Sequence, residues 1–468
     1  MLNIEVVKKM IKEHTAHHSE FITKSMIAER YYRNKNDILT LKKKDSEDSE
    51  NPLRNADNRI SSNFHGLLVN QKASYLFTAP PLFDVGNKNA NKKITEILGD
   101  VYPKTCKDLC INASNNGVAW IHYWINEKEE FEYGVIDSKQ IIPIWSTSLN
   151  KKLIAVLRVY DNIDEDGETY NIYEYWTDIE CNAFKKKANE SIDACLQSYK
   201  MFTSSIVDTE TMEMTDTFKH NFGRVPFIPF FNNNIMTSDL DNVKPLIDVY
   251  DKVFSGFVND LEDIQEIIFI LSGYEGESLG EFLTQIKKYK TIKVENNGDS
   301  DKNGQSGLST LTIDIPIEAR KELLGTTRKA IFEQGQGVDP QPDRFGDASG
   351  VALKFMYSLL ELKAGLTETE FKLSFGEFIR VICQHLNVEC KSIAQTWTRT
   401  AITNDSELSD ICSSSVGVIS NKSIIKNHPF VEDVDAEEKQ IQMEKEQNEK
   451  MYPNFPLEEP PEGESDEK

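Results

Sequence analysis

Over the first 116 residues the apolar positions recur every three or four places, the period of helices with one buried face. Residues 3–33 predict a helix rich in charge, followed by a polar Lys/Asp/Ser stretch to about Asn51 that reads as a loop. Ile60, Phe64, Leu67, Leu68, Gln71 and Tyr75 predict a helix over 56–77, which Pro80-Pro81 stops. Two more helices are expected over 89–98 and 101–114. From Gly117 the pattern changes. GVAWIHYWIN, EFEYGVI, QIIPIWS, KKLIAVLRVYD and ETYNIYEYW are rich in β-branched and aromatic residues, and several alternate. Asp166-Gly167 between two such runs predicts a hairpin turn. Residues 117–232 therefore read as mostly antiparallel sheet.

Helix returns over 240–272. Val243, Ile247, Tyr250, Phe254, Phe257, Leu261, Ile264, Ile268 and Leu271 advance by alternating steps of four and three. That 3.5-residue period marks helices packing along their length, either inside one subunit or as a wall shared between subunits. A rod of about 50 Å is expected. Residues 273–317 read as a small mixed segment, with a helix near 277–288, strand-like TIKVE, a polar loop and strand-like LTIDIP. A helix over 318–335 leads to GQGVDPQPDRFGDASG, a loop too long to be an ordinary connection. Ser349 can cap the next helix, which runs to about Leu386 with a possible kink at Gly365. A last helix is expected over 433–450. The order of elements, helices then sheet then long helices, places the chain in the α+β class.

Composition changes the picture in one respect. The 468 residues carry a net charge of −23, which argues against a conventional nucleic-acid coat with a basic face. It does not exclude a protein past which DNA slides. From 432 to the end there are fourteen acidic residues against four basic ones, and the Pro/Glu-rich terminus is expected to be disordered. Seven scattered cysteines point to an intracellular chain without a disulfide framework. No signal peptide is expected. The densest short apolar run, Ile267–Leu271, is far below the roughly 18 residues of a membrane span, so a soluble protein with no membrane partner is expected.

Catalytic chemistry is not legible. There is no phosphate-cradling G-x-x-x-x-G-K-[ST], no G-x-S-x-G and no H-E-x-x-H. His14 and His18 share a helix face, as do Cys106 and Cys110, but surface exposure and helix packing explain these pairs better than metal ligation. Asp299, Asp301, Asn303 and Gly304 match half of a calcium loop whose twelfth position is Thr310, not Glu. Asn162, Asp164, Asp166 and Gly167 match similarly, and a hairpin explains them. No metal, cofactor or catalytic residue is expected.

Three blocks carry a resemblance. NADNRISSNFHGLLVNQKASYLFTAPPLF (55–83), DRFGDASGVALKFMYSLLELKA (343–364) and TNDSELSDICSSSVGVISNKSIIKNHPFVEDVDAEEKQI (403–441) together resemble the portal proteins of tailed bacteriophages, of the siphophage head type. The resemblance covers residues 1–450. It implies a portal fold, with long stem helices, a mixed α/β wing, a small α/β clip and a helical crown, assembled as a ring of about twelve subunits. The implied parts are a wing (1–239), a stem helix (240–272), a clip (273–317), a second stem helix (318–335), a tunnel loop (336–350), a long helix of wing and crown (351–400), the crown (401–450) and an acidic tail (451–468).

The same resemblance implies the function: a channel at one capsid vertex through which double-stranded DNA is packaged and ejected. The clip would meet the terminase large subunit and later a head-completion adaptor. Major capsid and scaffolding proteins are further implied partners. The protein would sit in the virion after assembly in the bacterial cytoplasm. Channel-facing residues would be Asp339, Gln341, Asp343, Arg344, Phe345, Asp347 and Ser349 of the loop, with Lys252 and Arg328 of the stem. Val243, Ile247, Tyr250, Phe254, Phe257, Leu261, Ile264 and Ile268 would pack subunits in the stem. An acidic stem and loop repel a phosphate backbone, but only within the ~8–10 Å that salt leaves unscreened. The loop's Gly and Pro residues suit a segment that changes shape as DNA passes. Two other readings compete: a metal-dependent packaging nuclease, and a coiled-coil structural adaptor that never touches DNA.

Overall fold

The computed structural model describes residues 4–41, 56–164, 166–205, 212–264, 268–272, 307–311, 316–340, 350–399, 405–431 and 433–451. The chain divides into two compact units: Met1–Asp339 with Leu359–Arg399, and Pro340–Ser358 with Thr400–Lys468. It is an α+β protein.

The larger unit begins with α1 (Ile4–Tyr32), α2 (Phe64–Leu76), the short β1 (Leu82–Asp84), α3 (Lys88–Leu98) and α4 (Tyr102–Asn116). Gly117 ends α4 at φ 81°, and a Cβ there would lie 2.2 Å from the Met236 carbonyl oxygen, so no other residue fits. Two antiparallel sheets follow. The first has the order β12 (Phe227–Phe231), β2 (Val118–Ile125), β3 (Phe131–Ile136). The second runs β11 (Thr217–Lys219), β7 (Glu180–Lys187), β6 (Thr169–Trp176), β5 (Leu153–Ile163), β4 (Ile141–Trp145), with β8 (Gln197–Ser198) also on β7. Short α5 (Ile192–Cys195) and the hairpin of β9 (Phe202–Ser205) with β10 (Met212–Thr215) complete this region. The expected β5–β6 hairpin turns at Asp166-Gly167, with Gly167 at φ 77°.

Strand β2 shows why its sequence is apolar on both faces. Ala119, Ile121 and Tyr123 point into a core with α4 and Phe371, Phe375 and Phe378 of the long helix α8 (Gly350–His385). Val118 and Trp120 point the other way, onto Val156, Trp176 and Cys181 of the second sheet. The far face of that sheet, with Leu157, Tyr173 and Phe184, receives Val7 and Ile11 of α1. Cys106 and Cys110 lie in the first of these cores, as ordinary packing requires. Strand β15 (Ala394–Thr396), after α8, pairs with β1.

Helices α6 (Lys244–Ile264) and α7 (Ile317–Gln334) form a pair, between which β13 (Ile268–Ser272) pairs with β14 (Gly307–Leu311). The smaller unit contains α9 (Asp405–Ser414), α10 (Asn421–Asn427) and α11 (Val434–Met451), in line with the expected terminal helices. Among the described residues, no helix is long and apolar enough to cross a membrane.

Two expected boundaries are corrected. The helix expected over 240–272 ends at Ile264, and Ile268, expected on its apolar stripe, is in a strand. Five consecutive apolar residues, 267–271, cannot share one helix face, and the pairing of Ile268–Leu271 with β14 suits β-branched and aromatic residues. The described strand here is Gly307–Leu311; most of the strand expected at LTIDIP (311–316), with the helix near 277–288, TIKVE and the half-calcium loop, falls outside the described residues. The helix expected over 56–77 starts at Phe64 instead, capped by the Asn63 side chain accepting from the Gly66 amide at 3.2 Å. Residues 56–63 are not helical, for a reason that lies in α6.

Candidate functional site

Helices α6 and α7 run antiparallel. Near one end Arg320 is ion-paired with Asp260 and lies over the Phe257 ring at 5.5 Å. At the other end Leu240, Val243 and Ile247 meet Ile331 and Phe332 in a core completed by Tyr31, Phe64 and Leu68. The 3.5-residue stripe is thus graded along α6. Val243 and Ile247 are fully buried within the chain, and Tyr250 meets the Phe64 ring edge-on at 4.9 Å. Phe254 and Phe257 are half-buried, and Leu261 is 45% exposed. The side chains of Ile264 and Ile268 fall outside the described ones.

The acids of α6 are mostly engaged inside the chain. Asp248 bonds Lys244 at 2.8 Å and accepts from the Tyr31 hydroxyl, and Asp260 holds Arg320. Asp251 is fully buried; it accepts from the Ser62 amide at 2.9 Å and from Asn36 Nδ2 at 2.6 Å. Burial pushes its carboxyl upward, partly offset by these bonds. Ser255 Oγ accepts from the Ile60 amide at 3.0 Å, and Asn259 Oδ1 from the Asn58 amide at 2.6 Å. Residues 251, 255 and 259 are four apart on a helix, a rise of about 6 Å; residues 62, 60 and 58 are two apart on an extended chain, about 6.6 Å. The periods nearly coincide, so one face of α6 acts as a strand edge for 58–62. Replacing Ser255 and Asn259 together by Ala is expected to cost about 1 kcal/mol per lost bond. Hydrogen exchange at the Ile60 and Asn58 amides should then accelerate about tenfold; unchanged exchange there would show that the ladder does not hold the segment.

Of the residues expected to face DNA, Lys252 is exposed on α6. Arg328 and Asp339 are brought together, with Nη2 and Oδ1 2.6 Å apart. Gln341, Asp343, Arg344, Phe345, Asp347 and Ser349 lie outside the described residues. His18 uses a ring nitrogen on the Lys139 carbonyl oxygen at 2.8 Å. Among the described residues no group of three or more His, Cys, Asp and Glu side chains could hold a metal ion.

Where α6 begins and α7 ends lies a buried polar hub that sequence reasoning missed. Lys72 of α2 and Lys363 of α8 both reach Asp239 Oδ2, at 3.0 and 3.1 Å. Asn232 donates to Asp239 Oδ1 at 2.9 Å and accepts from Lys72. Lys363 also donates to the Gly335 carbonyl oxygen at 2.9 Å. Burial works to raise the Asp239 carboxyl, but Lys363 and Lys72 outweigh it and hold the group far below the usual carboxylate range. Burial lowers the Lys363 ammonium. Next to the hub His65 donates Nε2–H to Asn115 Oδ1 at 2.9 Å, and burial pushes the imidazole down to about 4. The available signal was a single lysine inside each of two helical segments with little other charge, VNQKASYL and LLELKAGL.

Residues 11–451 match the family model described as phage portal protein, SPP1 Gp6-like. The portal protein of Clostridium phage phiCD119 is 43% identical over 97% of this chain and 100% of its own length. That of Bacillus phage SPP1 is 29% identical over 96% of this chain and 88% of its own. Solved structures of gene transfer agent necks are also similar, at 10% identity. One, from an empty particle, has a TM-score of 0.44 over 78% of this chain and 89% of that one. Another, from a native particle, has a TM-score of 0.40 over 81% and 92%.

Proposed function

The chain belongs to the SPP1 Gp6-like family of phage portal proteins, and from that premise we propose that about twelve copies close into a ring around an axial channel for double-stranded DNA. The observation that carries this reading is the extent of the match, from residue 11 to residue 451, because a conduit needs all its parts in order. The ring occupies one capsid vertex, assembles in the bacterial cytoplasm with scaffolding and major capsid proteins, and admits DNA during packaging and releases it at ejection. The segment 273–317 meets the terminase large subunit and then the head-completion adaptor. ATP hydrolysis belongs to the terminase; this chain contributes position and surface. In this reading Asp248 and Asp260 are neutralised within the chain by Lys244 and Arg320, and the net negative charge that remains keeps the wall from binding the phosphate backbone tightly.

Two surfaces support a repeated contact between copies. Helix α8 buries Lys363, Ala364, Phe371 and Phe375 on one face, and on the other presents Leu362, Leu366 and Leu373 at 61, 64 and 70% exposure. The outer part of the α6 stripe is likewise incompletely covered. A ring interface joins two different patches of one chain, and both stripes suit helices packing along their length. Electron microscopy of the purified protein should show rings with a hole wide enough for a duplex. A chain that remains a 53.4 kDa monomer in all conditions overturns the proposal. Replacing Leu362 and Leu366 together by Lys should leave the circular dichroism spectrum intact and shift sedimentation to the monomer; unaltered rings would exclude this face of α8 from the seam.

A further inference from the structure

Residues 335–339 leave α7 along the surface of α2, and side chains from three helices hold them there. Gln71 of α2 accepts from the Val338 amide at 3.1 Å and donates to the Val338 carbonyl oxygen at 2.7 Å. This two-bond exchange is what one strand offers another. Lys363 of α8 donates to the Gly335 carbonyl oxygen, placing a cation at the C-terminus of α7, where the helix dipole favours it. Arg328 closes on Asp339 through Nη2 at 2.6 Å and Nε at 3.1 Å.

Gly337 packs against α2 as well. A Cβ there would lie 2.2 Å from Leu68 Cδ2 and 2.9 Å from Gln71 Oε1, while its amide donates to the Phe332 carbonyl oxygen at 3.0 Å. This glycine provides close approach, not looseness. The sequence suggested the opposite, a pliable start to the loop.

We propose that Gln71 and Lys363 are positioning residues that fix the point from which the DNA-facing loop departs, so that residues 335–339 move as one piece with α2 and α8. The inference rests on the portal reading for its consequence, not for its geometry. Lys363 is itself held by Asp239, which Lys72 and Asn232 fix in turn. The loop base is therefore tied through one buried hub to the end of β12. Motion of α8 is carried to α7 through the Gly335 carbonyl, without passing through the loop.

The test compares Gln71→Leu, Lys363→Met and Lys363→Arg in the full chain, by hydrogen exchange read over 331–339 and over the remainder of the larger unit. The expected result is exchange about tenfold faster at 335–339 in the first two variants, with the sheets unchanged and Lys363→Arg close to wild type. A rise spread evenly over the unit makes these residues ordinary stabilisers and overturns the proposal, as does no rise at all. A second arm measures DNA retained in heads assembled with each variant. Retention should fall several-fold in Gln71→Leu and recover in Lys363→Arg relative to Lys363→Met. Local loosening with wild-type retention also overturns the positioning role. Failure of wild-type protein to support packaging would instead overturn the portal reading, and leave the exchange result standing on its own.

Discussion

Replacing Asp239 by Asn is expected to destabilise the larger unit by about 3–5 kcal/mol, the cost of leaving a buried charge without its partner. The reason is arithmetic of charge. Two ammonium groups, Lys72 with no exposed surface and Lys363 nearly as deep, share one carboxylate at 3.0 and 3.1 Å. An amide of the same shape keeps the packing and one acceptor, but leaves two cations facing each other away from water. At the low dielectric of such a site the repulsion is large, and the relief available is deprotonation of one lysine. Adding Lys363→Met to Asp239→Asn should recover part of the loss, so the double variant is more stable than the sum of its single changes predicts. Urea unfolding measures all three. A loss below about 1 kcal/mol in Asp239→Asn would mean that packing, not charge, holds this junction.

Stability should also fall steeply in mild acid. His65 and His122 are both pushed down to about 4 by burial. The His122 ring is stacked on Phe227 at 4.3 Å and on Trp124 at 5.6 Å, and donates Nδ1–H to the Pro226 carbonyl oxygen. Near His65, Asp239 favours a positive charge while Lys363 and Lys72 oppose it, and near His122 Arg158 and His220 oppose it. In the unfolded chain each imidazole titrates near 6.5. Above that value both states are neutral and the full stability is present. As pH falls from 6.5 to about 4, the unfolded state takes up protons that the folded state refuses. Each group then removes about 1.4 kcal/mol per pH unit, roughly 3 kcal/mol over the window. Two such groups are a large share of the 5–15 kcal/mol of a typical domain. Asp239 adds a loss in the same direction, beginning only below the ordinary carboxylate range. The check is the urea midpoint from pH 7 to 4.5, with unfolding linked to uptake of about two protons and His122→Gln removing about half of the slope. A flat profile would exclude buried neutral imidazoles as the acid-sensitive groups.

Much of the fold was legible because it is local. The switch from helical to strand pattern at Gly117 is seen in the structure at that residue, since a left-handed cap and a tight approach to Met236 admit only glycine there. The hairpin at Asp166-Gly167 and the extents of α1, α3, α4, α7 and α8 follow from turn chemistry and apolar period within short windows. Where the pattern failed, the competitor was distant in sequence. Ile60 continues the helical spacing of Phe64 and Leu67, but Asp251, Ser255 and Asn259, about 190–200 positions away, take the amides of Ser62, Ile60 and Asn58. The stripe of α6 was extended to Ile268 because alternate residues of an all-apolar run fit any period.

The sequence by itself determined the α+β order, the long helices, the family blocks and the absence of a familiar catalytic motif. It determined these because each is written in adjacent residues or in a repeat of two, three or four positions. Only the tertiary structure decided which charges are free. The acidic stem read as a repelling wall, and the resemblance implied Arg328 and Asp339 as separate channel residues; folding pairs or buries Asp248, Asp251, Asp260, Arg328 and Asp339. It also decided that Lys72, Asp239 and Lys363 form one site and that Gly337 is a point of contact. Side chains separated by more than a hundred positions meet only when helices and sheets have packed, and a charge acquires its meaning from what it meets there.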